Sequence, residues 1–129
     1  MLSNILEYGE LRVDDVRGTR ANIVAIPMDT SFEDLVRIFA SVGHSRLPVY
    51  KDTLDDIMGM VHVKDAMMVI AEKGMTEAKS TALITFQRPV LFVPASMKLL
   101  DLLAKMRSNR MHMAIVVDKY GGTDGLVTI

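Results

Sequence analysis

Apolar and polar residues follow one another along this chain with the two periods that distinguish helices from strands. Residues 31–42 repeat their apolar side chains every three or four positions, with a Ser or Thr to cap the helix and Gly43 to end it. The runs 47–50 and 57–63 are short and mainly apolar, which predicts two strands around a polar turn. Further predicted elements are a helix at 2–9, a strand at 23–26 that Pro27 ends, and a helix at 64–73 that Gly74 ends.

The same order of elements occurs twice. Pro27 and Pro94 are 67 residues apart, and Gly59 and Gly125 are 66 apart, so the second hairpin turn is one residue shorter. The second copy is predicted to contain a strand at 90–93, a helix at 96–108, and strands at 113–117 and 125–129. We therefore expect a mixed α/β (α+β) fold of two β-α-β-β-α repeats that close against each other and leave clefts between them. The second copy stops where its last helix should begin, which indicates a fragment excised from a longer protein.

Composition narrows the class of protein mainly by exclusion. The 129 residues suit one domain, and with 5% aromatic residues and 11 Met its core should be aliphatic and Met-rich. A net charge of −1 disfavours a broad nucleic-acid or membrane-binding surface. The absence of Cys excludes disulfides and thiolate chemistry. No apolar run approaches the roughly 18 residues of a membrane span, and the N terminus lacks the pattern of a signal peptide.

Patterns of catalytic or metal-binding residues are weak. His44, His62 and His112 are too scattered for metal-ligand spacing, and the acidic pairs at 14–15 and 55–56 suit solvated turns. No side-chain nucleophile stands beside a recognisable base. The sequence therefore predicts a protein that is not an enzyme and holds no tightly bound, protein-ligated metal.

Two motifs point to a known family. Ser45-Arg-Leu-Pro-Val, followed by Gly59-Met-Val-His-Val-Lys-Asp65, resembles the CBS domain, and two copies in tandem resemble a CBS pair, or Bateman module. Segments 4–16, 43–50 and 117–129 are similar to the CorC/HlyC magnesium and cobalt efflux proteins, which are related to the CNNM transporters. The resemblance covers essentially the whole chain. One departure is Arg17-Gly-Thr-Arg20, which stands where that family usually has Met-(Thr/Val)-Pro-Arg.

The resemblance implies two CBS repeats packed with pseudo-twofold symmetry. Its boundaries place an N-terminal helix and linker at 1–15, repeat 1 at 16–74, a linker at 75–82, and repeat 2 at 83–129 without its last helix. It implies a regulatory module on the cytoplasmic side of the inner membrane, flanked by a membrane domain and a C-terminal domain. The module is expected to bind ATP or AMP, with or without Mg²⁺, to form a homodimer, and to bind no nucleic acid. The alternative is a structural dimerisation module whose clefts bind nothing.

The resemblance also suggests which residues contact a nucleotide. Asp65 begins a helix, where a carboxylate either accepts hydrogen bonds from ribose hydroxyls or stabilises the helix dipole. Arg46 either grips a phosphate or forms a surface ion pair of little energetic value. His62 occupies a position where the family often has Thr. It either forms a hydrogen bond with the ligand or has a structural role at the end of its strand. Thr128 fills the matching slot of the second repeat.

The remaining cleft residues suit both the core and contact with the ligand. We expect Asp65 and Arg46 to face segment 86–91, and Thr128 to face segment 19–24. The residues assigned to the clefts in this way are Ser45, Leu47, Thr19, Ile23, Val24, Phe86, Val90, Leu91, His112 and Met113.

Overall fold

The computed structural model describes residues 11–129, so the helix predicted at 2–9 lies outside the described residues. In chain order the elements are α1 (Val13–Val16), β1 (Gly18–Thr19), β2 (Ile26–Pro27), α2 (Phe32–Val42), β3 (Arg46–Tyr50), β4 (Ile57–His62), α3 (Val63–Ala78), β5 (Leu91–Pro94), α4 (Leu99–Asn109), β6 (Met113–Val117) and β7 (Thr123–Thr128). Short 3₁₀ turns lie at Arg20–Asn22 and Leu83–Thr85. No helix within residues 11–129 has the length and apolar character needed to cross a membrane.

The chain divides into two compact units. The central unit is Val24–Pro89, and the terminal unit combines residues 11–23 with residues 90–129. The boundaries predicted from the repeats lie at residues 16 and 83. The contacts within the structure instead divide the chain after residues 23 and 89. Each unit is therefore completed by a short segment that precedes the first strand of the other repeat.

The central unit has the β-α-β-β-α order that the sequence predicts. β2 pairs in parallel with β3, and β3 pairs antiparallel with β4. Helix α2 begins at Ser31, whose Oγ accepts a hydrogen bond from the Asp34 N–H at 3.1 Å, and ends at Gly43 with φ of 73°. The apolar face of α2 packs against β3 and β4, and the largest fully buried side chains of this core are Phe32, Leu35, Leu47 and Leu83.

The terminal unit has a four-stranded sheet in the order β1-β7-β6-β5. β5 pairs in parallel with β6, whereas β6 with β7 and β1 with β7 are antiparallel. Helix α4 covers this sheet with Leu102 and Met106, and Val13 of α1 is fully buried beside them. The Val13 N–H donates to the Met97 carbonyl at 2.8 Å, which ties α1 to the start of α4.

Three sequence predictions are wrong in detail. The end of the segment 1–15, predicted as a linker, contains most of helix α1 (Val13–Val16). The strand predicted at 23–26 is displaced to Ile26–Pro27, because the Ile23 N–H closes a 3₁₀ turn on the Arg20 carbonyl. Proline is tolerated within β2 because this strand is at the edge of its sheet. α3 breaks at Gly74, as predicted, but resumes for a turn to Ala78.

The two glycines at equivalent positions of the repeats each lie under a crossing backbone. A Cβ on Gly59 would stand 2.6 Å from the Arg88 carbonyl oxygen and 2.8 Å from Gln87 Cγ. A Cβ on Gly125 would collide with the Gly18 carbonyl oxygen and stand 2.9 Å from Arg17 Cδ. Only glycine permits these approaches, which let segment 87–88 join β4 and let β1 join β7.

We predict that Gly59→Ala and Gly125→Ala each destabilise the protein by on the order of 1–3 kcal/mol, because backbone atoms must shift to admit the methyl group. Gly18→Ala is the matched control, since its Cβ would lie 3.6 Å from the Leu126 carbonyl oxygen, an ordinary contact. Urea unfolding of the three variants measures the difference. Equal stability of Gly18→Ala and Gly59→Ala would contradict the role assigned to this close approach.

Candidate functional site

Charged and titratable side chains meet at the open end of the β3–β4 hairpin. Arg46 begins β3 and His62 ends β4, and the two residues are direct partners in the antiparallel register. The hairpin turn, with Lys51 and Asp52, lies at the other end of the same strands. Helix α3 starts immediately after His62, so the first turn of this helix and the ends of both strands share one corner of the central unit.

His62 caps α3 with its imidazole. Its Nδ1 accepts a hydrogen bond from the Lys64 backbone N–H at 2.9 Å, so the ring is neutral and carries its proton on Nε2. Burial lowers the pKa of His62, and the positive charges of Arg46, Arg88 and Lys64 lower it further, against an opposing effect of Asp65. A neutral His62 therefore retains both its capping role and an N–H group that can donate to a ligand.

Asp65 in the first turn of α3 is held by Arg88. The Arg88 Nε donates to Asp65 Oδ2 at 2.6 Å, and the Arg88 Nη2 donates to Asp65 Oδ1 at 2.7 Å. This bidentate hydrogen bonding lowers the pKa of Asp65 and raises the pKa of Arg88, outweighing in each case the opposite effect of burial. The carboxylate is thus charged and bound through both of its oxygens.

The backbone of Arg88 is fixed beside β4. The Arg88 N–H donates to the Met60 carbonyl at 2.8 Å, and the Met60 N–H donates to the Arg88 carbonyl at 2.9 Å. This bridge lies over Gly59, which explains why the crossing segment can come so close. The anchor places the Arg88 side chain at the start of α3.

Arg46 contributes a second guanidinium to this corner. Its side chain is half-buried, and its Nε is buried with no hydrogen-bond partner among residues 11–129. A buried donor without a partner is costly, so a ligand oxygen at this position would be favourable. Ser45, which precedes Arg46, is exposed, and its carbonyl accepts a hydrogen bond from the Val63 N–H at 2.8 Å.

A pocket of about 430 Å³ opens beside the Asp65–Arg88 pair. One wall is α3 and the other is the segment 81–88. Two of the lining residues form a hydrogen bond, in which the Lys73 ammonium donates to the Thr81 Oγ1 at 3.2 Å. Its lining residues are Asp65, Met68, Val69, Glu72, Lys73, Thr81, Thr85, Phe86, Gln87 and Arg88. Its volume lies in the range of small-molecule sites, and its lining combines charges with apolar surface.

The terminal unit has a smaller pocket of about 280 Å³ at the corresponding place. It is formed where β1 meets β7, and brings Thr128 together with Thr19 and Ile23, as expected. Its other lining residues are Val16, Gly18, Asn22, Leu126 and Val127. Within residues 11–129, none of the side chains lining this pocket is charged.

The other predicted cleft residues are dispersed. Leu47 and Met113 are fully buried in the cores of their units, and Val90 is also buried. Leu91 is half-buried on β5, while Val24 and His112 are exposed and line neither pocket. The structure thus brings Asp65 together with Phe86 in one pocket, places Arg46 and His62 beside them, and leaves the ligand contacts of all these residues as predictions.

Arg88 is the functional candidate that sequence reasoning missed. The expectation that Asp65 faces segment 86–91 contained the needed signal, because Arg88 is the single charged residue in that segment. A half-buried carboxylate opposite a segment with one cation predicts their pairing.

No group of three or more acidic or His side chains within residues 11–129 could hold a metal ion.

Comparisons with known proteins agree with this architecture. The sequence profile of the CBS domain matches residues 13–72 and 84–129. A hemolysin C homolog of Rickettsia rickettsii is 44% identical over 130 residues, covering 100% of this chain and 42% of that protein. Hemolysin C of Rickettsia prowazekii is likewise 44% identical, with 41% of its length covered. The chain therefore spans less than half the length of these relatives.

Solved structures show the same fold. The CBS domain of the bacterial CNNM/CorC family Mg²⁺ transporter in complex with ATP is 36% identical, with a TM-score of 0.89, over 98% of this chain and 87% of that one. A CBS-domain pair with bound AMP from Klebsiella pneumoniae is 30% identical, with a TM-score of 0.75, over 93% of each chain. The mixed α/β fold of two repeats and the resemblance to CorC are confirmed. The chain belongs to the CBS domain family, as a CBS pair of the CorC/hemolysin C group.

Proposed function

We propose that this CBS pair binds an adenine nucleotide in the central pocket and thereby regulates a CorC-like transporter that exports Mg²⁺ or Co²⁺. The observation that carries the proposal is the bidentate Asp65–Arg88 pair that lines a pocket of about 430 Å³. Arg46 and His62 lie at the end of the hairpin from which the helix of Asp65 starts. Related CBS domains have been solved with ATP and with AMP, which supports an adenine nucleotide as the ligand.

Each of these side chains suits one part of a nucleotide. The two oxygens of Asp65 match the cis-hydroxyls of a ribose, which both donate hydrogen bonds. The guanidinium of Arg46, with its unpartnered Nε, and the Nε2–H of His62 suit phosphate oxygens. Phe86 lines the same pocket and offers an aromatic surface to a base. A Mg²⁺ ion would be carried on the phosphates.

The central pocket is the proposed nucleotide site because its lining carries charged side chains. The central pocket contains both signs of charge, whereas the described lining of the terminal pocket is uncharged. Thr19 and Thr128 offer hydroxyls there, but no guanidinium among the described lining residues can hold a phosphate.

Regulation requires that the nucleotide bind two states of the whole protein with different affinity, since an indifferent ligand shifts no equilibrium. We propose that the module acts on the cytoplasmic side of the inner membrane, joined to a membrane domain and a C-terminal domain. The role is one of binding and not of catalysis. The curated relatives, more than twice the length of this chain, leave room for such domains.

Two observations favour the alternative, a structural dimerisation module without ligand. Arg88 already satisfies both oxygens of Asp65, so the carboxylate needs no ribose to be stable in its half-buried position. His62 likewise has a structural role as the cap of α3. Binding measurements decide between the two functions.

We predict that millimolar ATP, ADP or AMP raises the melting temperature, and that Asp65→Ala and Arg46→Ala reduce this shift. At a ligand concentration 100 times Kd the stabilisation is about 2.7 kcal/mol, which corresponds to several degrees for a chain of this size. Each variant loses a charge-assisted hydrogen bond, worth on the order of 1.5–3 kcal/mol of binding free energy. Calorimetry with and without Mg²⁺ gives the affinities.

Asp52→Ala and Lys51→Ala are the matched controls, because these residues carry the same charges at the far end of the same hairpin. They should leave the affinity within about twofold of the wild type, as expected of surface substitutions. Absence of a melting shift with every adenine nucleotide would overturn the proposal. Loss of cooperative melting in Asp65→Ala or Arg46→Ala would assign that residue a structural role.

A second prediction concerns the pH dependence of stability. Since the pKa of His62 in the folded protein is below 6.5, the folded state binds fewer protons than the unfolded state just below that pH. The contribution of His62 is therefore complete above about pH 6.5 and is lost as the pH falls towards its folded pKa. Asp65, whose pKa is lowered from 3.8, contributes in the same direction only at more acidic pH.

His62→Asn should flatten the fall in unfolding free energy between pH 7.5 and 5, because Asn caps a helix but does not titrate. His44→Asn is the control, since His44 is exposed and its substitution should preserve the slope. Urea unfolding at several pH values gives the slopes. If His62→Asn and the wild type lose equal stability over this range, His62 is not the responsible group.

We also propose that the module forms a homodimer with twofold symmetry through an apolar groove between α2 and α3. The groove measures about 250 Å³ and is lined by Val36, Phe39, Ala40, Val63, Ala66, Met67 and Ile70. Met67, one of the residues lining this groove, is 64% exposed. The same surface therefore contains both a protruding side chain and a recess that could receive it from a second copy. A twofold interface needs such a self-complementary patch.

Met67→Lys should shift the protein from dimer to monomer in light scattering at tens of micromolar, because a charge would be buried at the centre of the contact. Met58→Lys is the matched control, since Met58 is 43% exposed on β4 and lies outside the groove. A wild-type protein that scatters as a monomer would refute the dimer. A monomer produced equally by both variants would refute this choice of surface.

A further inference from the structure

We infer that Arg88 competes with the ribose of the ligand for Asp65, and so makes the central pocket select phosphorylated nucleosides over nucleosides. The inference rests on the proposed nucleotide site and adds to it a residue that determines specificity. It starts from the bidentate contact, in which the two nitrogens of one guanidinium edge engage the two oxygens of one carboxylate at 2.6 and 2.7 Å.

A ribose and a guanidinium would use the same edge of Asp65. The two hydroxyls of a cis-diol donate in parallel to the two oxygens of a carboxylate, as the two N–H groups of an arginine do. The Asp65 side chain is only 17% exposed, which limits approach from other directions. A ribose can therefore bind Asp65 in this manner only after Arg88 has moved away.

The structure allows that movement in the side chain alone. The Arg88 backbone is held by its two hydrogen bonds to Met60 and by the close approach to Gly59. Its side chain, in contrast, is 42% exposed and can rotate toward solvent. After rotation the guanidinium remains near the start of α3, within the corner that also contains Arg46 and His62.

Whether the displaced Arg88 guanidinium gains a new anionic partner then depends on the ligand. A nucleoside breaks the pair with Asp65 and gives the guanidinium no anion in return. A nucleotide breaks the same pair but supplies phosphate oxygens, which arginine binds with the same bidentate geometry. A charge-assisted hydrogen bond corresponds to roughly tenfold to a hundredfold in affinity, and this is the expected preference for AMP over adenosine.

The test compares AMP and adenosine by calorimetry on the wild type, Arg88→Ala, Arg88→Lys and Lys51→Ala. Arg88→Ala should bind adenosine about tenfold more tightly than the wild type, because Asp65 is released, while its affinity for AMP stays level or falls. Arg88→Lys should lie between, since an ammonium cannot occupy both oxygens as a planar fork does. Lys51→Ala removes a positive charge at the other end of the hairpin and should leave both affinities unchanged.

The gain in adenosine affinity separates competition for Asp65 from a simple phosphate contact, which would weaken AMP alone. Unchanged adenosine affinity in both Arg88 variants, with AMP still bound by the wild type, overturns the inference and leaves the proposed function standing. Failure of the wild type to bind any adenine nucleotide overturns the proposed function itself. Melting curves check that each variant folds, and Arg88→Lys keeps the test decisive if Arg88→Ala does not fold.

Discussion

The structure depends on two places where one backbone crosses directly over a glycine. At Gly59 the crossing segment is 87–88, and at Gly125 it is 17–18, and neither leaves room for a Cβ. Each crossing adds hydrogen-bonded backbone to the side of a hairpin that would otherwise be an open edge, and open sheet edges are a liability in soluble proteins. The crossings also explain why each compact unit contains residues from outside its own repeat.

The crossing at Gly59 is also what assembles the charged corner. It fixes the Arg88 backbone against Met60, and this position brings the guanidinium to the carboxylate in the first turn of α3. The same hairpin places Arg46 across from His62, whose imidazole caps that helix. The same segment therefore covers the edge of the sheet and positions the charged side chains. A change that displaces segment 87–88 should affect both.

The two units share a topology but differ in chemistry. In the central unit the residue that pairs across from Met60 is Arg88, and in the terminal unit the residue that pairs across from Leu126 is Gly18. Met60 and Leu126 are equivalent in the repeat, so an arginine and a glycine occupy matching places. This difference adds a guanidinium to the central pocket, which Lys73 also lines, whereas the described lining of the terminal pocket is uncharged.

Features with local causes could be predicted from the amino-acid sequence. The cap at Ser31, the stop at Gly43 and the short apolar strands depend on a few neighbouring residues, and the repeat made the second unit predictable from the first. The position of β1 and the contact between Arg88 and Asp65 have causes that are not local. These depend on segments far apart in the chain that meet across a glycine, and no period or propensity within either segment encodes that meeting.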